Sequence, residues 1–216
     1  MTPTRTLTVR CSLTMATPPE PLPHPETRRR SIPGVSPHQC VPPAIKPDHI
    51  RRTRVIDLLG TTDQTMVLVA ASAGYGKSTA VRQWTDQEHR PLAWLTVASH
   101  DNDPVVFVRA LVCCLDRMIP MPEVVESVCA PTPQLDDRVM PLLETSLATA
   151  PEQFVLVIDD LEEVTDPDAL GLLDRLLRCV PRGSMVVLVS RTVPAIHQAR
   201  RVVDGNLAQV DSEDLA

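Results

Sequence analysis

The chain has 216 residues, 43% of them apolar, which predicts one domain with a packed core, with or without a tail. Its formal net charge is −6, and the acidic excess lies after residue 47, which argues against an extended nucleic-acid-binding surface. No apolar stretch is long enough to cross a membrane, and the N-terminal residues lack the apolar segment of a secretory signal, so we expect a cytoplasmic protein.

The first part of the sequence is rich in proline. Residues 1–47 hold 11 of the 22 prolines, and stretches such as Thr17–Pro25 can form neither a helix nor a central strand. Apolar periodicity is absent from this part of the chain. We therefore predict a disordered or polyproline-II tail over residues 1–47 and a folded domain over residues 48–216.

The pattern changes to alternating elements after this tail. Asp48 can cap a helix over about 51–59, and Gly60 fits the position just past its end. Met66–Ala70 is a short continuous apolar run, which is typical of a strand buried on both faces of a parallel sheet. A loop that contains glycine follows this strand and leads into a helix over about Lys77–Gln87.

Strands and helices continue to alternate through the rest of the sequence. Further strands are predicted over Leu92–Val97, Phe154–Ile158, Met185–Val189 and near Leu207–Val210. Helices are predicted from Pro104 to about Met118 with Asp103 as N-cap, over about 135–149 with a kink at Pro141, from Asp166 to near Cys179, and around Ala195–Arg200. This alternation predicts an α/β fold with a parallel sheet and helices on both of its faces.

The loop between the first strand and its helix carries the most informative motif. It reads Ala71-Ser72-Ala73-Gly74-Tyr75-Gly76-Lys77-Ser78-Thr79 and is close to the phosphate-binding pattern G-x-x-x-x-G-K-[ST]. Ala71 replaces the first glycine, so it must accept a backbone conformation usually given to glycine. Gly74 and Gly76 let backbone N–H groups surround a triphosphate at a helix N-terminus. Lys77 is expected to reach the β- and γ-phosphates of ATP, and the Ser78 hydroxyl to hold Mg²⁺.

Two aspartates follow the strand Phe154–Ile158 at its carboxyl end, where α/β sheets bind their ligands. Asp159 is expected to hold Mg²⁺ through water, and Asp160 to orient or deprotonate an attacking water. The structural alternative is that these aspartates only cap a helix after a core strand. Glu162 and Glu163 lie further beyond the strand and are expected to be solvated.

Arg191 occupies the corresponding position after the strand Met185–Val189. A guanidinium at the carboxyl end of a neighbouring strand can approach the γ-phosphate and sense its presence. The alternative is an ordinary surface salt bridge. With Asp160, Arg191 completes the catalytic residues that the sequence predicts.

Taken together, these motifs resemble the nucleotide-binding domain of large LuxR-type, MalT-like transcriptional regulators, which belong to the STAND class of signal-transduction ATPases. The resemblance covers roughly Pro42 to Ala216. It implies a P-loop NTPase domain of the AAA+/STAND kind, in which ATP binding, set by an inducer, switches a closed monomer to an oligomer that activates transcription. The matching segments are Ala71–Thr79 with Gln83-Trp84, Pro91–Leu95, Asp101–Pro104, Val155–Asp160 and Leu188–Thr192.

The resemblance also implies what this chain lacks and what it binds. The sequence ends where the family's ATPase core passes into a winged-helix domain, so we expect no winged helix, inducer domain or helix-turn-helix, and no direct DNA binding. The expected function is an ATP-binding switch module with slow ATPase activity, whose partners are ATP or ADP, and itself or full-length regulators. Two alternatives remain open: a non-catalytic interaction module or pseudogene fragment that modulates full-length regulators, and a standalone small NTPase or kinase.

Overall fold

A computed structural model describes residues 32–45, 50–196 and 207–215. Five strands form one sheet in the order β2-β3-β4-β1-β5, and every neighbouring pair is parallel. The strands are β1 (Met66–Ala70), β2 (Leu92–Thr96), β3 (Val155–Asp159), β4 (Met185–Ser190) and β5 (Leu207–Val210). The predicted parallel α/β fold class is therefore confirmed, and each predicted strand lies within one residue of its observed bounds.

Six α-helices lie within the described ranges. They are α1 (Thr53–Thr61), α2 (Lys77–Thr85), α3 (Pro104–Leu115), α4 (Pro122–Val128), α5 (Met140–Ala148) and α6 (Pro167–Leu177). The first helix begins later than predicted and includes Gly60 in its last turn, so the assignment of Gly60 to the position past the helix is wrong. Asp48, its predicted cap, lies outside the described residues, as does most of the helix predicted around Ala195–Arg200.

The helices cover both faces of the sheet because successive side chains of a strand point to opposite faces. Met66 and Leu68 of β1 belong to the core on one face, and Val67 and Val69 belong to the core on the other. The first core is packed mainly by α3 to α6, and the second by α1 and α2. Each of these four side chains is at most 1% exposed, which explains why the strand reads as a continuous apolar run.

The helical region predicted over residues 135–149 consists of two parts. A π turn spans Leu135–Val139, and α5 follows it directly. Pro141 lies in the first turn of α5, where its missing N–H breaks no intrahelical hydrogen bond. The change from π to α geometry lies between Val139 and Met140, just before Pro141, at which the kink was predicted. The seven-residue helix α4 was not predicted.

Part of the segment assigned to the tail is packed on the domain. Ile32 and Cys40 are 2% and 7% exposed and belong to the core on the α3–α6 face. Gln39, in a 3-10 turn over Pro37–Cys40, donates from Nε2 to Asp101 Oδ2 at 2.5 Å and to the Thr96 carbonyl at 3.4 Å. The packed domain thus includes residues on the N-terminal side of position 48.

No helix in the described ranges is both long enough and apolar enough to cross a membrane.

Candidate functional site

The three motifs predicted from the sequence meet at one edge of the sheet. The loop that begins at Ala71 follows β1, Asp160 follows β3, and Arg191 follows β4. Strand β4 lies between β3 and β1, so the carboxyl ends of all three strands are adjacent. In parallel sheets this edge is where ligands bind.

The backbone of the loop after β1 turns at two glycines. Gly74 and Gly76 have φ angles of +87° and +78°, a region that glycine enters without steric cost. Ala71 N–H donates to the Ser190 carbonyl at 3.3 Å and so continues the pairing of β1 with β4. Among the described residues, Asp160 is the only non-glycine with a positive φ. The expectation that Ala71 needs a glycine-like conformation is therefore wrong.

Lys77 is the first residue of α2, and its ammonium lies over the loop. The residue is 9% exposed, and Nζ donates to the Ser72 carbonyl at 3.2 Å. The helix is preceded by Gly76, which has no side chain to cap the first N–H groups of α2. A cation and a helix N-terminus therefore converge on a loop whose residues Ser72 to Tyr75 are exposed.

Ser78 and Asp159 form a direct pair across the site. The Ser78 hydroxyl donates to Asp159 Oδ1 at 2.9 Å, and the N–H of Asp160 donates to the same oxygen at 3.1 Å. Asp159 is 3% exposed, and this burial raises its pKa to about 6. The negative charges of Asp160 and Glu162 raise that pKa further, whereas the hydrogen bond from Ser78 lowers it.

Asp160 stands at a strained position between acidic and basic groups. Its backbone is left-handed, with φ +56° and ψ +39°, and it begins the 3-10 turn Leu161–Glu163. Burial is the main cause that raises the pKa of its carboxyl, followed by the charge of Glu162. Arg191 and Lys77 oppose this rise in pKa, so both cations act electrostatically on Asp160.

Arg191 is engaged by Glu162. Its Nε lies 2.7 Å from Glu162 Oε1, and its backbone N–H donates to Glu162 Oε2 at 2.9 Å. The Arg191 side chain is 55% exposed, whereas the Glu162 side chain is 12% exposed. The expectation that Glu162 is solvated is wrong, and the salt bridge left open for Arg191 is present in this structure.

The oxygen atoms of Ser78 and Asp159 are the donors that Mg²⁺ prefers. Among the described residues no group of three or more His, Cys, Asp or Glu side chains could hold a metal ion. A cation held only by protein ligands does not fit such a site. Mg²⁺ fits, because it usually retains several waters and is shared with substrate phosphates.

One cation near the loop, Arg52, was not predicted from the sequence. Arg52 N–H donates to Gln83 Oε1 at 2.9 Å, and Gln83 Nε2 donates to the Ile50 carbonyl at 3.1 Å. These bonds tie residues 50–52 to α2, and Arg52 Nη2 lies 4.0 Å from where a Cβ on Gly76 would stand. Arg52 is one of four arginines between positions 51 and 82, and nothing in the sequence distinguishes it from the other three.

The segment Asp101-Asn102-Asp103 has connecting roles near β2. Asp101 Oδ2 accepts from the N–H of Ala98 at 2.8 Å, in addition to its bond from Gln39. Asn102 Oδ1 accepts from the N–H groups of Thr165 and Asp166 at 2.7 and 2.8 Å. Asp103 Oδ1 caps α3 by accepting from the N–H groups of its first turn. These three side chains hold the loops around β2 and β3 together.

The parallel sheet and the glycine loop between β1 and α2 define a P-loop type of α/β domain. The chain is homologous over 77% of its length to the HTH-type transcriptional regulator MalT, which confirms the resemblance to LuxR-type, MalT-like regulators. It is 27% identical over 169 residues to the protein of Cronobacter sakazakii and 25% identical over 175 residues to that of Klebsiella pneumoniae. The chain spans 19% of the length of each of these relatives.

Part of this chain is also similar to solved structures. Cdc6p from Pyrobaculum aerophilum is 15% identical, with a TM-score of 0.49 over 76% of this chain and 47% of that one. Drosophila ORC bound to AT-rich DNA and Cdc6 is 10% identical, with a TM-score of 0.46 over 74% of this chain and 56% of that one. No family model matches the chain.

Proposed function

We propose that this chain is an ATP-binding switch module of a LuxR-type transcriptional regulator, with slow ATPase activity at most. One observation carries the proposal: the Lys77 ammonium lies over a loop opened by two left-handed glycines, beside the hydrogen-bonded pair of Ser78 and Asp159. This arrangement combines backbone N–H donors, a helix N-terminus and a fixed cation, which together suit a polyphosphate.

The loop Ala71–Thr79 would hold the phosphates. The backbone N–H groups of its exposed residues and the uncapped start of α2 would face the phosphate oxygens. Lys77 would exchange the Ser72 carbonyl for the β- and γ-phosphates, because a charged acceptor makes the stronger hydrogen bond. Arg52 would add a further positive charge at the Gly76 end of the loop.

Ser78 and Asp159 would hold Mg²⁺, which when bound neutralises charge on the β- and γ-phosphates. The hydroxyl and the carboxylate already contact each other at 2.9 Å, so both oxygens can face a common point. Asp159 must be ionised for this role. Because burial raises its pKa to about 6, Mg²⁺-dependent binding is expected to weaken below that pH.

Asp160 would orient or deprotonate the water that attacks the γ-phosphate. Its pKa is raised by burial and by Glu162, and a carboxylate with a raised pKa is a better proton acceptor near neutral pH. Arg191 would sense the γ-phosphate from the end of β4. The Asp160→Asn variant is expected to bind nucleotide almost normally and to hydrolyse it more slowly.

The proposed biological context follows from the relatives, whose name describes HTH-type transcriptional regulators. The chain would act in the cytoplasm, with ATP or ADP as ligand and with itself or a full-length regulator as protein partner. The nucleotide-binding unit would consist of the residues after the proline-rich tail. This unit would not contact DNA directly, because its acidic charge opposes binding to phosphates of DNA.

Nucleotide titration of the purified 216-residue chain, with and without Mg²⁺, tests the proposal. A ligand at 100 times its Kd stabilises the folded state by about 2.7 kcal/mol, which raises the Tm of a domain of this size by roughly 5–10 °C. A folded sample whose Tm does not move with Mg·ATP or Mg·ADP would contradict the proposal. Transfer of the γ-phosphate to a small molecule would instead favour a kinase.

A further inference from the structure

Glu162 holds Arg191 by two contacts, and the two carboxylate oxygens have different functions. Oε2 accepts the backbone N–H of Arg191 at 2.9 Å and thereby fixes the end of β4. Oε1 forms the ion pair with Nε of the Arg191 guanidinium at 2.7 Å. Breaking the ion pair alone would leave the backbone contact in place.

The order of the strands shows which way this ion pair draws Arg191. Arg191 follows β4, which lies between β3 and β1. Glu162 belongs to the 3-10 turn that follows β3, whereas the glycine loop follows β1 on the other side. The guanidinium is therefore paired with a group on the β3 side rather than with the loop on the β1 side.

The turn that carries Glu162 is firmly anchored. Leu161 within the turn and Val164 directly after it are 0% and 3% exposed, and the N–H of Glu163 donates to the Asp160 carbonyl at 3.1 Å. The Arg191 side chain is 55% exposed, whereas Glu162 Oε1 is buried, so the guanidinium lies partly in solvent and can exchange partners. The carboxylate is thus the fixed member of the pair and the guanidinium is the movable one.

We propose that Glu162 is a specificity-determining residue that competes with the γ-phosphate for Arg191 and so sets how strongly the site distinguishes ATP from ADP. This inference rests on the proposed function, because it assumes that phosphates bind in the glycine loop. A bound triphosphate draws the guanidinium from Glu162 towards the γ-phosphate, and part of its binding free energy is used to break the ion pair. A diphosphate has no γ-phosphate and leaves the ion pair intact.

The test measures the Kd of Mg·ATPγS, a slowly hydrolysed triphosphate, and of Mg·ADP for the full chain and for the Glu162→Gln variant. Glutamine keeps an oxygen for the Arg191 backbone N–H but removes the charge that holds the guanidinium. We expect the Kd of Mg·ATPγS to fall by about two- to fivefold, the range of a partly exposed ion pair, while the Kd of Mg·ADP changes less.

Two further variants separate this mechanism from a general effect of charge. Glu163→Gln removes a neighbouring carboxylate whose charge also acts on Asp160, but the ion pair with Arg191 belongs to Glu162. We expect Glu163→Gln to leave the ratio of the two Kd values unchanged. In an Arg191→Ala background, Glu162→Gln is also expected to have no effect on that ratio, because the competing guanidinium is absent.

Other outcomes would contradict competition between Glu162 and the γ-phosphate for Arg191. Tighter binding of both nucleotides, or an effect that persists without Arg191, would show that Glu162 acts on the phosphates through its charge alone. Weaker binding of Mg·ATPγS to Glu162→Gln would show that Glu162 orients Arg191 towards the phosphate. If the parent chain binds neither nucleotide, the proposed function itself fails, and this inference fails with it.

Discussion

The two ends of the sheet contain carboxylates with opposite properties. At the carboxyl end, Asp159 is 3% exposed and its pKa is raised to about 6 by burial and by neighbouring acidic groups. At the amino end, Arg90 lowers the pKa of Glu88 to about 2. The same chemical group is therefore destabilised as an anion at one end and stabilised at the other.

Hydrogen bonds stabilise the Glu88 anion at the amino end of the sheet. Glu88 accepts from the backbone N–H groups of His89 and Arg90 at 2.9 and 3.0 Å, and from Arg90 Nε and Nη2 at 3.0 and 2.6 Å. Arg90 Nη1 donates in turn to the Gly183 carbonyl at 2.7 Å, just before β4. These bonds connect the start of β2 to the start of β4, and the anion is fully compensated.

The carboxyl end has strain and uncompensated charge instead. Asp160 adopts a left-handed conformation, and the first turn of α2 has no side-chain cap. The Nζ of Lys77 donates to a neutral carbonyl. Such features cluster where a protein binds ligands, because the ligand supplies the missing partners. The difference between the two ends thus identifies the end at which binding is expected.

Replacing Lys77 by alanine is expected to have the largest effect. Loss of a buried cation that contacts phosphate costs about 2–5 kcal/mol, so the Kd of Mg·ATP is expected to rise at least about 30-fold. Lys46→Ala, which alters the only other lysine, is the matched control and is expected to bind like the parent. Calorimetric titration measures both. Equal affinity of Lys77→Ala and parent would show that the carboxyl end does not bind phosphate through this lysine.

Asp159→Asn is expected to stabilise the protein without nucleotide or Mg²⁺. Asparagine can still accept the Ser78 hydrogen bond but carries no buried charge. The pKa of Asp159 rises from its ordinary value of 3.8 to about 6, so the folded state keeps the proton up to a higher pH than the unfolded state does. Removing the carboxylate is expected to raise the free energy of unfolding above pH 7 by about 1–3 kcal/mol. Mg²⁺-dependent nucleotide binding is expected to weaken in the same variant.

The contribution of Asp159 to the free energy of unfolding depends on pH. Between pH 3.8 and about 6 the folded state binds more protons than the unfolded state, so stability falls as the pH rises through this window. Urea unfolding of the parent in EDTA, compared with Asp159→Asn, isolates this contribution. A variant that is less stable than the parent above pH 7 would show that the buried anion is compensated after all.

The strands and the principal motifs of this edge could be predicted from the sequence. Strands buried on both faces, such as Met66–Ala70, leave continuous apolar runs that the sequence displays directly. The proximity of Ser78 and Asp159 follows from the rule that parallel strands bring their carboxyl ends to one edge. Local sequence and one topological rule were sufficient here.

Other features depend on tertiary packing and were missed. The burial of Ile32 and Cys40 is invisible among prolines, because two isolated apolar residues show no periodicity. The position of Arg52 depends on hydrogen bonds with Gln83, which lies 31 residues away. The pairing of Glu162 with Arg191 depends on the left-handed turn at Asp160, and an aspartate in sequence does not reveal its backbone conformation.

Glu88→Gln is expected to destabilise the amino end by about 1 kcal/mol, the upper range for a partly exposed ion pair. The pKa of Glu88 falls from its ordinary value of 4.5 to about 2, so its contribution is complete above pH 4.5 and disappears as the pH falls towards 2. Acid unfolding followed by circular dichroism measures this loss. Identical acid titrations of parent and Glu88→Gln would remove the contrast between the two ends of the sheet.

The smallest expected effect concerns the strain at Asp160. Asp160→Asn removes the charge but keeps a Cβ at φ +56°, whereas Asp160→Gly removes both the charge and the steric cost. Glycine also increases the freedom of the unfolded chain, so we expect Asp160→Gly to be more stable than Asp160→Asn by only about 0.5 kcal/mol. Urea unfolding of the two variants at one pH measures this difference. If Asp160→Asn proved the more stable of the two, the turn after β3 would store no backbone strain, and uncompensated charge alone would distinguish the two ends.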